Sequence, residues 1–253
     1  IIPLLPKNAR IICTHNEEIK PQKYDEQLNI KRLRLNAFIE QKDFHLSDSN
    51  FILNSIPPKS EGDLILKHLS KTIIKFSQNI KWYGYFSSTS VYGDQKGIVN
   101  ELSKIKPLSP YAEVKKKEEI ILIRQSKVKY ITLRFGTISG FSKGMRFHTA
   151  VNKFCFNAIM KLPIPVWGKA LNLYRPYLSL KDAFKIIKFI LSKNFFPSEI
   201  FNILSENKTV KQILDIIKKN NHKIKIKYID SKILNQFAYK TSKEKIEKFD
   251  IKL

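Results

Sequence analysis

A chain of 253 residues with 43% hydrophobic content can bury one good core, or a large and a small one, which excludes disorder as its dominant state. The formal charge of +24 would ordinarily raise nucleic acid as a partner. Only seven of the 46 basic residues are arginine, however, and the lysines are spread over nearly every predicted helix beside abundant Ile and Asn. The charge therefore reads as compositional bias rather than a basic stripe for nucleic acid, although a positive field suits steering of an anionic ligand.

Arg10-Ile11-Ile12-Cys13-Thr14, Ile30 to Leu35 and Phe51-Ile52-Leu53 are apolar, β-prone runs, and Trp82 to Phe86 is an aromatic one bounded by turn residues. Between the last two, Asp63 to Phe76 carries Leu64, Ile65, Leu66, Leu69, Ile73 and Ile74 mostly at three and four spacing, which predicts an amphipathic helix covering a sheet. Strands alternating with helices predict an α/β fold, a Rossmann-like doubly wound parallel sheet that takes its ligand at the carboxyl ends of the strands. Pro110 to about Gln125 reads as a helix with Ser109 as N-cap and Pro110 at its first position.

After the strand Tyr130 to Arg134 the pattern changes. A helix is predicted from Phe147 to Met160, a strand from Pro163 to Trp167, a helix from Leu180 to Leu191 capped by Ser179, and a strand from Ile200 to Leu204. Val210 to Lys219, Ile224 to Ile229 and a closing helix from Ser242 to Lys248 complete a smaller C-terminal lobe. The expected organisation is a dinucleotide-binding domain over 1–143, with 177–204 packing back onto it, and a substrate-binding lobe from 144–176 and 205–253. No apolar run is long enough to span a bilayer, and Ile1-Ile2-Pro3-Leu4-Leu5-Pro6 is too short and proline-broken for a secretory signal, so a cytoplasmic protein is expected. Cys13 and Cys155 form no Cys-x-x-Cys and there is no His cluster at ligand spacing, so neither a disulfide nor a metal site is expected.

Chemistry concentrates at Phe86-Ser87-Ser88-Thr89-Ser90-Val91-Tyr92-Gly93 and, one loop later, Ser109-Pro110-Tyr111-Ala112-Glu113-Val114-Lys115. The first delivers hydroxyls at the end of a buried strand. On the second, Tyr111 and Lys115 stand four apart on one helical face, where an ammonium would favour a phenolate over a phenol. A Tyr–Lys pair alone is common in helices that do no chemistry. It is the pairing with the serine strand that marks a catalytic constellation. Ser87, Thr89 and Ser90 stay open between touching a ligand and satisfying the backbone, and His148 between touching substrate and packing or capping a helix.

These residues resemble the Ser…Tyr-x-x-x-Lys site of the extended short-chain dehydrogenase/reductase superfamily, the NAD-dependent sugar-nucleotide epimerases and dehydratases. Leu133-Arg134-Phe135-Gly136-Thr137, Pro163-Ile164-Pro165-Val166-Trp167-Gly168 and Tyr174-Arg175-Pro176-Tyr177 resemble further segments of that family, so the likeness runs from about Arg10 to Leu253. The resemblance implies an NAD(P)-dependent epimerase or ketoreductase acting on a nucleotide-activated sugar. Ser88, Tyr111 and Lys115 would be catalytic: Tyr111 the acid/base, Lys115 lowering its pKa and binding the nicotinamide ribose, Ser88 hydrogen-bonding the reacting oxygen.

By the same resemblance, the cofactor would touch Thr14, His15, Asn36, Ala37, Ile56, Ser87, Tyr111, Lys115, Phe135 and Gly136. The substrate would touch Ser88, Thr89, Thr137, Arg146, His148 and Arg175, the Arg175 fork suiting a diphosphate. Thr89-Ser90 stands where 4,6-dehydratases of the family usually carry an acidic pair, which favours an epimerase or reductase. With Thr14-His15-Asn16-Glu17 at the position that selects the cofactor, NAD and NADP both stay open, Glu17 or Glu18 being able to bind a ribose. A homodimer through the Tyr–Lys helix is also implied.

The sequence departs from the family in two places. It has no glycine before Gly62, where the family carries a Gly-x-x-Gly-x-x-Gly turn, and Ile1 to Asn8 reads as the end of the first helix. The chain is thus expected to start about twenty residues into the family's pattern. Pro57-Pro58 and the stretch through Gly97 are closer to an atypical branch, which leaves open a non-catalytic dinucleotide-binding or regulatory protein of the same fold.

Overall fold

The four β-prone runs become strands, of which the aromatic one is the most deeply buried. The computed structural model describes residues 8–15, 25–58, 62–93, 95–124, 127–142, 144–220, 223–230, 238–251 and 253. In chain order these form β1 (Ile11–His15), β2 (Ile30–Arg34), α1 (Leu35–Glu40), α2 (Lys42–Ser47), β3 (Phe51–Asn54), α3 (Leu64–Lys75), β4 (Trp82–Ser88) and β5 (Lys96–Val99). Then come α4 (Pro110–Arg124), β6 (Tyr130–Phe135), β7 (Thr137–Ser139), α5 (Ala150–Ile159), β8 (Ile164–Trp167), β9 (Tyr174–Ser179), α6 (Leu180–Ser192) and β10 (Glu199–Ile203). The last are β11 (Glu206–Thr209), α7 (Val210–Asn220), β12 (Ile226–Ile229), β13 (Ala238–Thr241) and α8 (Glu244–Glu247).

The core is a Rossmann-like doubly wound sheet with additional C-terminal elements. β1 and β2 pair in parallel from Ile11 opposite Ile30 to His15 opposite Arg34. A second sheet has the order β10-β6-β4-β3, in which β3 and β4 are parallel with Phe51 opposite Trp82. Contacts divide the chain into two units. One is Ile1–Tyr85, Glu118–Thr132 and Ile187–Glu199; the other is Phe86–Lys117, Leu133–Ile186 and Ile200–Leu253.

In the first unit, α3 shows why its sequence makes a helix and where the helix begins. Asp63 Oδ1 accepts from the amides of Ile65 (2.8 Å) and Leu66 (3.2 Å), an N-cap that stabilises by about 1 kcal/mol. Ile65, Leu66, Leu69 and Ile73 then bury one stripe in a core with Tyr83 and Tyr85 of β4, each aliphatic contributing about 1.5–3 kcal/mol. The run from Ile30 to Leu35 ends as a strand one residue early: Leu35 opens α1, and Leu35 and Phe38, three apart, turn into the same core. The spacing of Leu35, Phe38 and Ile39 is a helical signal lost in the apolar run before it.

In the second unit β9 lies between β11, antiparallel to it, and β7, parallel to it. β12 pairs in parallel with β8, and β13 with β5. Phe154 and Ala158 of α5 share a core with Ile164 and Val166 of β8 and Ile213, Leu214 and Ile217 of α7. The helix expected from Phe147 begins at Ala150, because Thr149 Oγ1 donates to the Arg146 carbonyl (3.1 Å) and closes a turn ahead of it. The closing helix is confined to Glu244–Glu247. β5, β11 and β13, four residues each, have no strong local pattern and exist by pairing with distant partners.

Candidate active site

β4 ends at Ser88, and the next four residues, Thr89–Tyr92, turn as a short 3-10 helix. Ser88 Oγ caps that turn, accepting from the Ser90 amide (3.2 Å) and from Ser90 Oγ (2.9 Å). With both lone pairs of Ser88 engaged, its own hydrogen is left to donate. Thr89 is turned inward: only 5% exposed, it donates its hydroxyl to the Phe135 carbonyl (3.3 Å). Ser87 is buried as well.

On α4, Ser109 Oγ accepts from the Ala112 amide (3.2 Å), so the helix starts where Ser109-Pro110 predicts. One turn in, Lys115 is 2% exposed and its Nζ donates to the Phe86 carbonyl at 2.6 Å, two residues before Ser88. Its Nζ also lies 5.8 Å from the centroid of the Tyr111 ring. Tyr111 is 46% exposed. Its pKa is nonetheless raised above the ordinary tyrosine value, because the protein crowds the phenol and withholds water, while the Arg146 guanidinium pulls the other way. Arg146 is thus a cation that sequence reasoning did not assign to Tyr111, and Lys115, the one it did, stands by the ring while bonded to the strand backbone.

Behind the serine turn lies a buried polar network that sequence reasoning missed. Tyr92, wholly buried, accepts at its hydroxyl from Arg134 Nη1 (2.9 Å) and donates to Asn202 Oδ1 (2.7 Å). The Arg134 guanidinium sits 4.9 Å from the Tyr92 ring centroid. The Asn202 amide donates from its side chain to the Ser242 carbonyl (3.1 Å) and from its backbone to Glu101 Oε1 (2.7 Å). Tyr239 Oη donates to the Thr89 carbonyl (2.7 Å). Tyr92 and Arg134 stand inside the quoted motifs, which is the signal that was there to be read. Asn202 and Tyr239 follow Tyr92 by more than a hundred residues and leave no local trace.

The remaining candidates in this unit lie on or beside β6, β7 and β9 and in the turn before α5. Gly136 is packed so that a Cβ would meet the Pro176 carbonyl at 2.9 Å, and its amide donates to the Ile203 carbonyl (2.9 Å). Phe135 is buried, its ring 4.7 Å from that of Phe86. Thr137 pairs with Tyr177 in the sheet, and Arg175 on β9 lies opposite Lys208. Arg146 and His148 are exposed in the turn before α5.

In the other unit, Thr14 and His15 close β1, Asn36 and Ala37 lie exposed in the first turn of α1, and Ile56 follows β3. These are the carboxyl ends of strands, the edge at which such sheets take a dinucleotide. His15 Nε2 is 3.0 Å from Arg32 Nη1, and the same guanidinium grips Asp25 with two bonds of 2.6 and 2.8 Å. Ile56 donates its amide to Asn54 Oδ1 (3.2 Å). Glu17, Glu18 and Ile1 to Lys7 lie outside the described residues.

Residues 67–203 match the model of the NAD dependent epimerase/dehydratase family. The chain belongs to that family. A relative described as an uncharacterized UDP-glucose epimerase, YtcB of Bacillus subtilis (strain 168), is 28% identical over 145 residues, which cover 55% of this chain and 44% of that protein. The chain therefore spans less than half the length of this curated relative. Among solved structures, a dTDP-glucose 4,6-dehydratase from Bacillus anthracis in complex with NAD superposes with a TM-score of 0.75 at 21% identity, covering 90% of this chain and 76% of that one. A mutant UDP-glucuronic acid 4-epimerase from Bacillus cereus, with a fluorinated UDP-sugar and NAD, gives 0.72 at 16% identity, covering 94% and 84%. At such identities the likeness is one of fold.

Proposed function

We propose that this member of the epimerase/dehydratase family is an NAD(P)-dependent epimerase or ketoreductase acting on a nucleotide-activated sugar. The observation that carries the reading is the arrangement around Phe86: Lys115 is buried and bonded to the Phe86 carbonyl, while Ser88, two residues on, keeps a hydrogen to donate. Tyr111 exchanges a proton with a sugar hydroxyl, Ser88 donates to the reacting oxygen, and Lys115 holds the nicotinamide ribose. The cofactor, when bound, supplies the hydride acceptor or donor.

Thr14, His15, Asn36, Ala37 and Ile56 would serve the adenosine end; Ser87, Tyr111, Lys115, Phe135 and Gly136 would serve the nicotinamide end. Thr137, Arg146, His148 and Arg175 are proposed for the sugar nucleotide, within a substrate lobe of 144–176 and 205–253. Thr89 is the weaker member, since its hydroxyl already serves Phe135. Thr89-Ser90, in place of two carboxylates, favours epimerisation or reduction over dehydration. A cytoplasmic location, a homodimer and the absence of a nucleic-acid partner belong to the same proposal. Among the described residues no helix is long and apolar enough to cross a membrane.

The test is to titrate the protein with NAD or NADPH and a panel of UDP- and dTDP-sugars while following nicotinamide absorbance and sugar products. Turnover that vanishes in Tyr111→Phe supports the reading. Turnover unchanged in that variant sinks the assigned mechanism, and dinucleotide binding without turnover favours the non-catalytic alternative.

A further inference from the structure

Beyond the proposed reaction, the first unit carries a second feature. An open groove of about 450 Å³ lies at the starting ends of β4 and β6, where Lys81, Lys127 and Lys129 meet Ser77, Asn194 and Phe196. A doubly wound sheet takes its dinucleotide at the opposite, carboxyl ends of its strands, so this groove is not part of the family's usual ligand edge. Its volume lies within the range of small-molecule sites.

Abundant lysine explains why basic residues are present; the backbone explains why these three converge. Lys81 immediately precedes β4 and its amide donates to the Asn50 carbonyl (2.8 Å); the Tyr83 amide donates to the Lys129 carbonyl (2.8 Å), setting the two lysine-bearing strand starts side by side. Val128 is 2% exposed, and this buried anchor leaves Lys127 and Lys129 on either side of it exposed. Phe196 is fixed against Trp82 (5.6 Å between centroids) and Phe51 (5.9 Å), forming an apolar wall. Among the described residues no carboxylate lines the groove. Like charges gathered from neighbouring strands repel, and an anion with several charged oxygens placed among them would turn that repulsion into attraction. Ser77 and the Asn194 amide add neutral donors.

We propose that this groove binds a small oligophosphate, with the three ammonium groups on its phosphates and the Phe196 wall beside any nucleoside it carries. Calorimetric titration of the full chain with inorganic tripolyphosphate, and separately with ATP, tests this. Saturable binding is expected, weakening as salt is raised. It should fall at least about tenfold in the triple variant Lys81→Ala, Lys127→Ala, Lys129→Ala, since each charged hydrogen bond is worth roughly that factor, and be retained when the three are replaced by arginine. A control triple on α7, Lys211→Ala, Lys218→Ala, Lys219→Ala, should bind as the wild type does.

Binding of ATP tighter than tripolyphosphate identifies a nucleotide as the occupant, and equal binding identifies the phosphates alone; either supports the site. Absence of binding, equal loss in both alanine triples, or displacement of tripolyphosphate by NAD or a UDP-sugar overturns it. The result is independent of whether the enzyme turns over, so failure here and failure of the proposed reaction are separable.

Discussion

Lys115 Nζ donates to the carbonyl of Phe86 at 2.6 Å from a position only 2% exposed to solvent. The bond joins α4 to β4 two residues from Ser88, so one cation both orders the strand end and stands beside the tyrosine ring. Replacing it by methionine keeps the volume and removes the charge-assisted bond. Lys115→Met should cost about 1–3 kcal/mol of stability and abolish any hydride transfer; a denaturant midpoint unchanged from wild type would show that the bond contributes nothing.

Tyr111 carries a sign-determined pH prediction. Its phenol is held above the ordinary tyrosine pKa by crowding, offset by Arg146. In the folded protein the neutral form is thus favoured. Below about pH 10, the pKa of free tyrosine, this has no effect on stability; as the pH rises beyond it, the unfolded chain loses its proton first and stability falls. Ultraviolet titration of phenolate should show one late-titrating group missing in Tyr111→Phe, and shifted further upward in Arg146→Ala. A downward shift in the arginine variant would contradict the arrangement.

The Tyr92 network should behave as one unit. Tyr92→Phe leaves Arg134 and Asn202 each short of one partner in the interior, at a cost of about 1–3 kcal/mol. Asn202→Ala should cost a similar amount. Because both changes break the same bond, the double variant should fall short of their sum by 0.5 kcal/mol or more, an interaction of about the usual size for residues in contact. Strict additivity, measured by chemical denaturation, would dissolve the network into independent contacts.

Gly93 follows this turn with φ of 58°, and a Cβ there would collide with the Lys106 carbonyl. Gly97 also has positive φ, 75°, but open space around it. Gly97→Ala should therefore cost only the backbone strain, about 1 kcal/mol, and Gly93→Ala clearly more. Equal melting temperatures for the two variants would remove the steric argument.

The local signals in this chain were strong where a motif coincides with an element it starts or ends. Ser109-Pro110 opens α4, Asp63 caps α3, and the aromatic run Trp82 to Phe86 is a strand ending in hydroxyls. Short strands such as β5 and β13 were unreadable, because four residues of ordinary composition become a strand only when a partner more than a hundred residues away supplies their hydrogen bonds. The same holds for the groove lysines, which are ordinary in sequence and meet only where strand starts align.

By itself the order of residues determined the family pattern: a hydroxyl-bearing strand end, then Tyr111 and Lys115 one helical turn apart, since spacing within a helix is a local geometric fact. What only the tertiary structure decided is what those groups are bonded to. Lys115 faces a backbone carbonyl, Ser88 receives Ser90, Thr89 serves Phe135, and the Arg146 guanidinium pulls on the Tyr111 phenol. Such partnerships depend on burial and on contacts between distant segments, and they set which proton is held and which is free to move.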